Sequence, residues 1–122
     1  MELEFKELTS EIIACGIEVH KKLGPGSLES IYHNALFLEL KKQGLKTESR
    51  KEVEICYDGE IIGVHRLDVV VENAVIIELK AVTTFDSCHK AQLLSYLKAT
   101  RIKVGLLLNF AQTVLQVKRM VY

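Results

Sequence analysis

At Val53 the spacing of the apolar residues changes, from every third or fourth position before it to every second position in the segment that follows. A chain with both periods in that order must place a sheet after a helical segment, and the two must bury their apolar faces on each other. Leu8, Ile12, Cys15, Val19 and Leu23 form one helical stripe. Gly24-Pro25-Gly26 stops it, because proline cannot continue a helix and glycine suits a left-handed cap. Ser27 is placed to cap a second helix with an apolar face of Leu28, Ile31, Ala35, Leu36 and Leu38, ending at Gly44.

In the second part, residues 53–57 run into Asp58-Gly59, a two-residue hairpin signal, and the next strand covers about 61–71. Residues 75–80 make a third strand, and Asp86 or Ser87 opens a helix to about Ala99. Residues 104–108 are almost wholly apolar, as expected of a strand buried on both faces, and 114–119 alternate. Strand, helix and strand in that order predict a right-handed parallel crossover. The expected fold is α/β: a small mixed sheet, an antiparallel meander plus a parallel crossover strand, flanked by helices. With 122 residues the chain is one domain, 1–122.

Lysine plus arginine balance aspartate plus glutamate at 16 each, so a global basic field is absent and any nucleic-acid contact must use a local patch. No apolar run approaches the ~20 residues of a membrane helix. The opening Met1-Glu2-Leu3-Glu4-Phe5-Lys6 lacks the basic-then-apolar order of a secretory leader. Cys15, Cys56 and Cys88 are odd in number and widely spaced, which predicts reduced, mostly buried thiols. Together these features predict a cytoplasmic protein with no membrane partner.

The third strand carries the chemistry. Glu78 and Lys80 are two apart and share a face, and Asp68 lies ten residues upstream on the preceding strand. Facing residues of an antiparallel hairpin have a constant sum of numbers. A two-residue turn would set Asp68 and Glu78 on opposite faces, whereas a three-residue turn brings them together. A turn of 71–73 makes them diagonal; a turn of 72–74 makes them face directly. An odd turn is predicted. Unpaired charges among valines and isoleucines are costly, so the cluster is either an ion-pair network on a solvated face or a metal site. Two carboxylates and the Leu79 backbone carbonyl form a hard oxygen set suited to Mg²⁺ or Mn²⁺, and a neighbouring lysine can orient or deprotonate a water. The position also fits, since this strand leads into a crossover helix, where open sheets place their ligands.

Asp68, nine residues, then Glu78-Leu79-Lys80 resembles the core signature of the PD-(D/E)XK nuclease superfamily. Gly26-Ser27-Leu28-Glu29-Ser30-Ile31-Tyr32 is similar to the name-giving motif of the GxxExxY protein family, a branch of it. Gln92-Leu93-Leu94-Ser95-Tyr96 resembles the Gln-x-x-x-Tyr motif found in several nuclease branches. The resemblance spans about residues 12–119 and implies a metal-dependent nuclease acting on DNA or RNA. It implies Asp68 and Glu78 as metal ligands and catalytic residues, Lys80 as the catalytic lysine, Glu29 as a supporting acid, and Gln92 and Tyr96 as substrate-orienting groups. Leu67 stands where the superfamily has its proline, a departure from the motif letters. The alternative is an inactive nuclease-fold module that binds nucleic acid or a protein.

Plainer readings stand beside these. Glu29 in a first helical turn also suits the helix dipole. Tyr32 and Tyr96 also read as half-buried core residues with a hydroxyl partner. His20, His33, His65 and His89 lack ligand spacing and read as surface or packing residues. Arg66, on the face of Asp68, is either a salt-bridge partner or a phosphate ligand. A homodimer is expected of a small nuclease that cuts both strands, two-fold dimers being the commonest oligomers.

Overall fold

The computed structural model describes residues 2–122, with side chains from Phe5 onward. Two helices come first, α1 (Glu2–Leu23) and α2 (Glu29–Lys42). A meander follows, β1 (Thr47–Tyr57), β2 (Glu60–Val71) and β3 (Val75–Lys80). Then α3 (Ser87–Thr100) crosses over to β4 (Val104–Asn109), and β5 (Gln116–Val121) closes the order. The strands lie side by side in chain order, antiparallel except for the parallel pair β3/β4. This is the expected α/β, restriction-endonuclease-like architecture.

The helices cover both faces of the sheet. Val69, Val71, Val75, Ile77, Leu79, Leu106 and Leu108 pack with Ile12, Val19, Tyr32, Leu36 and Leu40 of α1 and α2. The intervening residues Val70, Ile76 and Leu107 pack with Leu93, Tyr96 and Leu97 of α3. Alternate residues of β3 and β4 therefore enter different cores, which is why both strands are almost entirely apolar. Gly105 permits the close approach of α3: a Cβ there would stand 2.9 Å from the Leu93 methyls.

Asp86 caps α3 by accepting from the amides of Cys88 and His89, and the His89 ring completes the capping box. Asp58 and Gly59 both have positive φ, as the expected two-residue hairpin turn requires.

Four expectations need correction. Ser27 does not cap α2; Leu28 holds that position without a side-chain bond. The buried face of α2 is Tyr32, His33, Leu36 and Leu40, while Leu28, Ile31 and Leu38 are exposed. The tyrosine sets this rotation. Its hydroxyl donates to the Gly24 carbonyl at 2.6 Å and accepts from the Ser27 amide at 3.0 Å, and its ring stacks on Phe110 at 4.5 Å. Tyr32 is thus fully buried rather than half-buried. Third, β1 begins at Thr47, not 53: the polar residues from Thr47 pair with the buried half of β2, so the partner dictates the strand. β5 likewise starts at Gln116, opposite Asn109, rather than 114. Fourth, only Cys15 is buried; Cys56 and Cys88 are exposed, and all three are free thiols.

Candidate active site

β2 and β3 pair at Val71/Val75, Val70/Ile76 and Val69/Ile77 across the turn Glu72-Asn73-Ala74, the second of the two odd turns allowed by the sequence. Glu72 and Asn73 both adopt positive φ there. The next rung would be Asp68/Glu78, and at that point the regular ladder stops. β3 continues alongside β4, at Glu78/Leu107, Leu79/Leu108 and Lys80/Asn109, while β2 diverges from it. Two carboxylates fill the gap. The Asp68 amide donates to Glu78 Oε1 at 3.3 Å, and the Leu79 amide donates to Asp68 Oδ2 at 2.9 Å. The carbonyl of an extended residue points to the same edge as its amide, so the Leu79 carbonyl also faces the split.

Asp68 is half-buried and Glu78 only 3% exposed. Burial, and then the charge of Asp68, push the Glu78 carboxyl up to about 9, against the weaker pull of the Lys80 ammonium. Lys80 is half-buried, follows Glu78 on the same face, and makes no ion pair within 4.0 Å among the described residues. Asn109 holds this end of the strand. It accepts from the Val82 amide at 3.1 Å and donates to the Val82 carbonyl at 2.7 Å, while the Phe110 amide donates to the Lys80 carbonyl.

Glu29, Ser30, His33, Arg50, Asp68 and Leu79 line a cleft of about 150 Å³. Glu29 lies one turn before His33 on α2. The His33 ring and the Ser49 hydroxyl lie 2.6 Å apart, joining α2 to β1. Burial and the nearby Arg50 hold the His33 imidazole below its ordinary pKa, with Asp68 acting the other way. The sequence reading missed His33, Ser49, Arg50 and Asn109. The spacing of Glu29 and His33, four apart on a helix, was the one available signal.

The remaining candidates divide. Tyr96 is buried on the α3 side against His65, with ring centroids 4.7 Å apart. Its hydroxyl is pushed up in pKa by burial and then by the charges of Glu78 and Asp68. Gln92 is exposed one turn earlier on α3. Arg66 is exposed and paired with Glu52 at 2.7 Å, the salt-bridge alternative.

Among the described residues no three His, Cys, Asp or Glu side chains close into a metal-binding cluster; Glu29 shares the cleft with Asp68 without completing one. The donor set at the split nonetheless fits a hard divalent cation. Two carboxylates and a carbonyl supply oxygen only, and a cation would relieve the repulsion that pushes the Glu78 carboxyl toward its protonated form. No helix among the described residues is long and apolar enough to cross a membrane.

A family model described as the PD-(D/E)XK nuclease superfamily matches residues 6–120. Among solved structures, the crystal structure of SSO0001 matches with a TM-score of 0.62 over 98% of this chain, at 20% identity, a likeness of fold. This chain spans 60% of the length of that one. No curated protein matches it.

Proposed function

We propose that this chain, which belongs to the PD-(D/E)XK nuclease superfamily, is a metal-dependent nuclease that hydrolyses phosphodiester bonds of DNA or RNA. One observation carries the reading: the β2/β3 ladder ends where Asp68 and Glu78 meet, and each carboxylate binds the other strand's backbone in place of a carbonyl. Regular pairing would have been the cheaper structure, so two repelling acids held together point to a cation-binding role.

Asp68, Glu78 and the Leu79 carbonyl would hold Mg²⁺ or Mn²⁺, with Glu29 supporting from α2. When bound, the ion supplies Lewis acidity and an activated water. Lys80, unpaired among the described residues and adjacent on the same face, would accept the attacking water's proton or balance charge growing on the phosphate. Tyr96 would orient the carboxylates from the α3 side, and Gln92 would touch the substrate backbone. The motif Gly-x-x-Glu-x-x-Tyr supports membership of the GxxExxY branch. Its parts have separate tasks: Gly26, at φ 104, permits the turn, Tyr32 ties that turn down, and Glu29 faces the cleft.

The test is cleavage of single- and double-stranded DNA and RNA with Mg²⁺ or Mn²⁺. Asp68→Asn and Lys80→Ala are each expected to lower the rate at least ~10²-fold. Cleavage persisting in both variants would exclude this site. Mn²⁺ binding without turnover on any substrate would favour a silent nuclease-fold module. Each chain supplies one carboxylate pair, so cutting both strands of a duplex in one event calls for two copies; the proposed homodimer predicts dimeric sedimentation, and a strict monomer would remove it.

A further inference from the structure

We infer that Arg50 is the phosphate-binding residue of this cleft, gripping the polynucleotide backbone beside the carboxylate pair. This rests on the nuclease reading above and deepens it. Five non-glycine residues adopt positive φ: Arg50, Asp58, Glu72, Asn73 and Arg101. Four of them sit where chains turn, in the two hairpin turns and at the C-cap of α3. Arg50 alone lies inside a strand, at φ 52. An unfavourable conformation kept within a paired strand points to a role for the side chain it redirects.

The redirection is visible in the pairing. Ser49 faces Val69, which lies in the core under α1 and α2; Lys51 faces Leu67, which lies under α3. Residues two apart on a regular strand share a face, and here they do not. The change of face occurs at Arg50, opposite Asp68, so both residues leave the two cores and line the cleft instead. The adjoining strand is pinned, because Ser49 binds His33 of α2.

Charge gives the second argument. Along β1, Glu48 pairs with Lys51 and Glu52 pairs with Arg66. Arg50 makes no ion pair within 4.0 Å among the described residues, although Glu29 and Asp68 line the same cleft. A phosphodiester approaching those acids is repelled unless a cation stands beside them. A guanidinium matches a phosphate's paired oxygens better than an ammonium, through two parallel N–H···O bonds.

The experiment is fluorescence anisotropy of a labelled oligonucleotide across a salt series, with Ca²⁺ as the divalent ion, run beside cleavage with Mn²⁺. Wild type is compared with Arg50→Gln, Arg50→Lys and Arg50→Gly. Losing one phosphate contact should make the log–log salt dependence shallower by about 0.7–0.9 and weaken binding roughly 5–10-fold at low salt. Arg50→Lys should fall between. Arg50→Gly should show the same loss yet melt no lower than wild type, since glycine accepts this φ freely, which separates lost contact from lost fold. Mn²⁺ affinity should not fall in any variant, and should rise where the Arg50 charge is removed beside Asp68. Arg50→Gln binding within twofold of wild type, with the same salt slope, would overturn the inference; wild-type cleavage in that case leaves the nuclease reading standing. Arg50-dependent binding without cleavage would have the opposite meaning, and a wild type that binds no oligonucleotide would remove both.

Discussion

Glu78 sits at 3% exposure beside a second carboxylate, and its carboxyl is pushed up to about 9 from an ordinary 4.5, first by burial and then by Asp68. Below the ordinary value both folded and unfolded chains hold the proton, and the group adds no pH dependence to stability. Between 4.5 and about 9 the unfolded chain has released a proton that the folded chain keeps, so stability falls as pH rises through this window. Glu78→Gln mimics the protonated side chain and removes the titration. The metal-free variant should therefore unfold several degrees above wild type at pH 8 and at about the same temperature at pH 4. Thermal melts at the two pH values check this; equal melting curves at pH 8 would show that Glu78 is not strained. The importance of this residue was legible in the sequence, because an acid and a lysine interrupt an apolar strand. Arg50 was not legible: its place in the cleft depends on a backbone angle of φ 52, and nothing in the letters around it requires that angle.

At the scale of elements, the order of helices and strands was readable because period and punctuation agree. The change of period, Asp58-Gly59 and the apolar run of β4 each specify local structure. The odd turn between β2 and β3 was also readable, since only an odd turn brings two acids together at a half-buried position. The rotation of α2 was not. Leu28, Ile31 and Leu38 look like its apolar face, yet they are exposed, because Tyr32 is anchored by its hydroxyl and by Phe110, a residue far along the chain. That anchoring predicts a phenotype. Tyr32→Phe keeps the stacking and loses two hydrogen bonds, to the Gly24 carbonyl and from the Ser27 amide. It should destabilise the protein by about 1–2 kcal/mol and also loosen the turn that leads to Glu29. Chemical denaturation measures the first effect, and faster amide exchange confined to residues 24–29 reports the second. An unchanged midpoint would mean that ring packing alone orients α2.

For the whole molecule, equal numbers of acids and bases mean that no long-range field draws a polyanion to the site. Under the proposed nuclease reading, affinity would come from a bound cation and a few local contacts, and the cation would link stability, pH and function. Near neutral pH the proposed ion would compete with the proton that burial favours on Glu78, so binding would release that proton, and affinity should rise up to tenfold per pH unit below about 9. Stability then has two opposing pH dependences. Without metal, rising pH should destabilise the fold through the buried carboxyl pair; with saturating Mn²⁺ the proposed site would have the same carboxylates neutralised by the ion, and rising pH would strengthen the complex. At an ion concentration about 100-fold above the dissociation constant the stabilisation is roughly 2.7 kcal/mol. The melting temperature should therefore fall between pH 6 and pH 8 in chelator, and hold or rise over the same interval in Mn²⁺. Asp68→Asn should abolish the difference between the two series. Parallel curves in chelator and Mn²⁺ would show that the split between β2 and β3 holds a shared proton and no cation, and the nuclease chemistry would have to be sought elsewhere on the molecule.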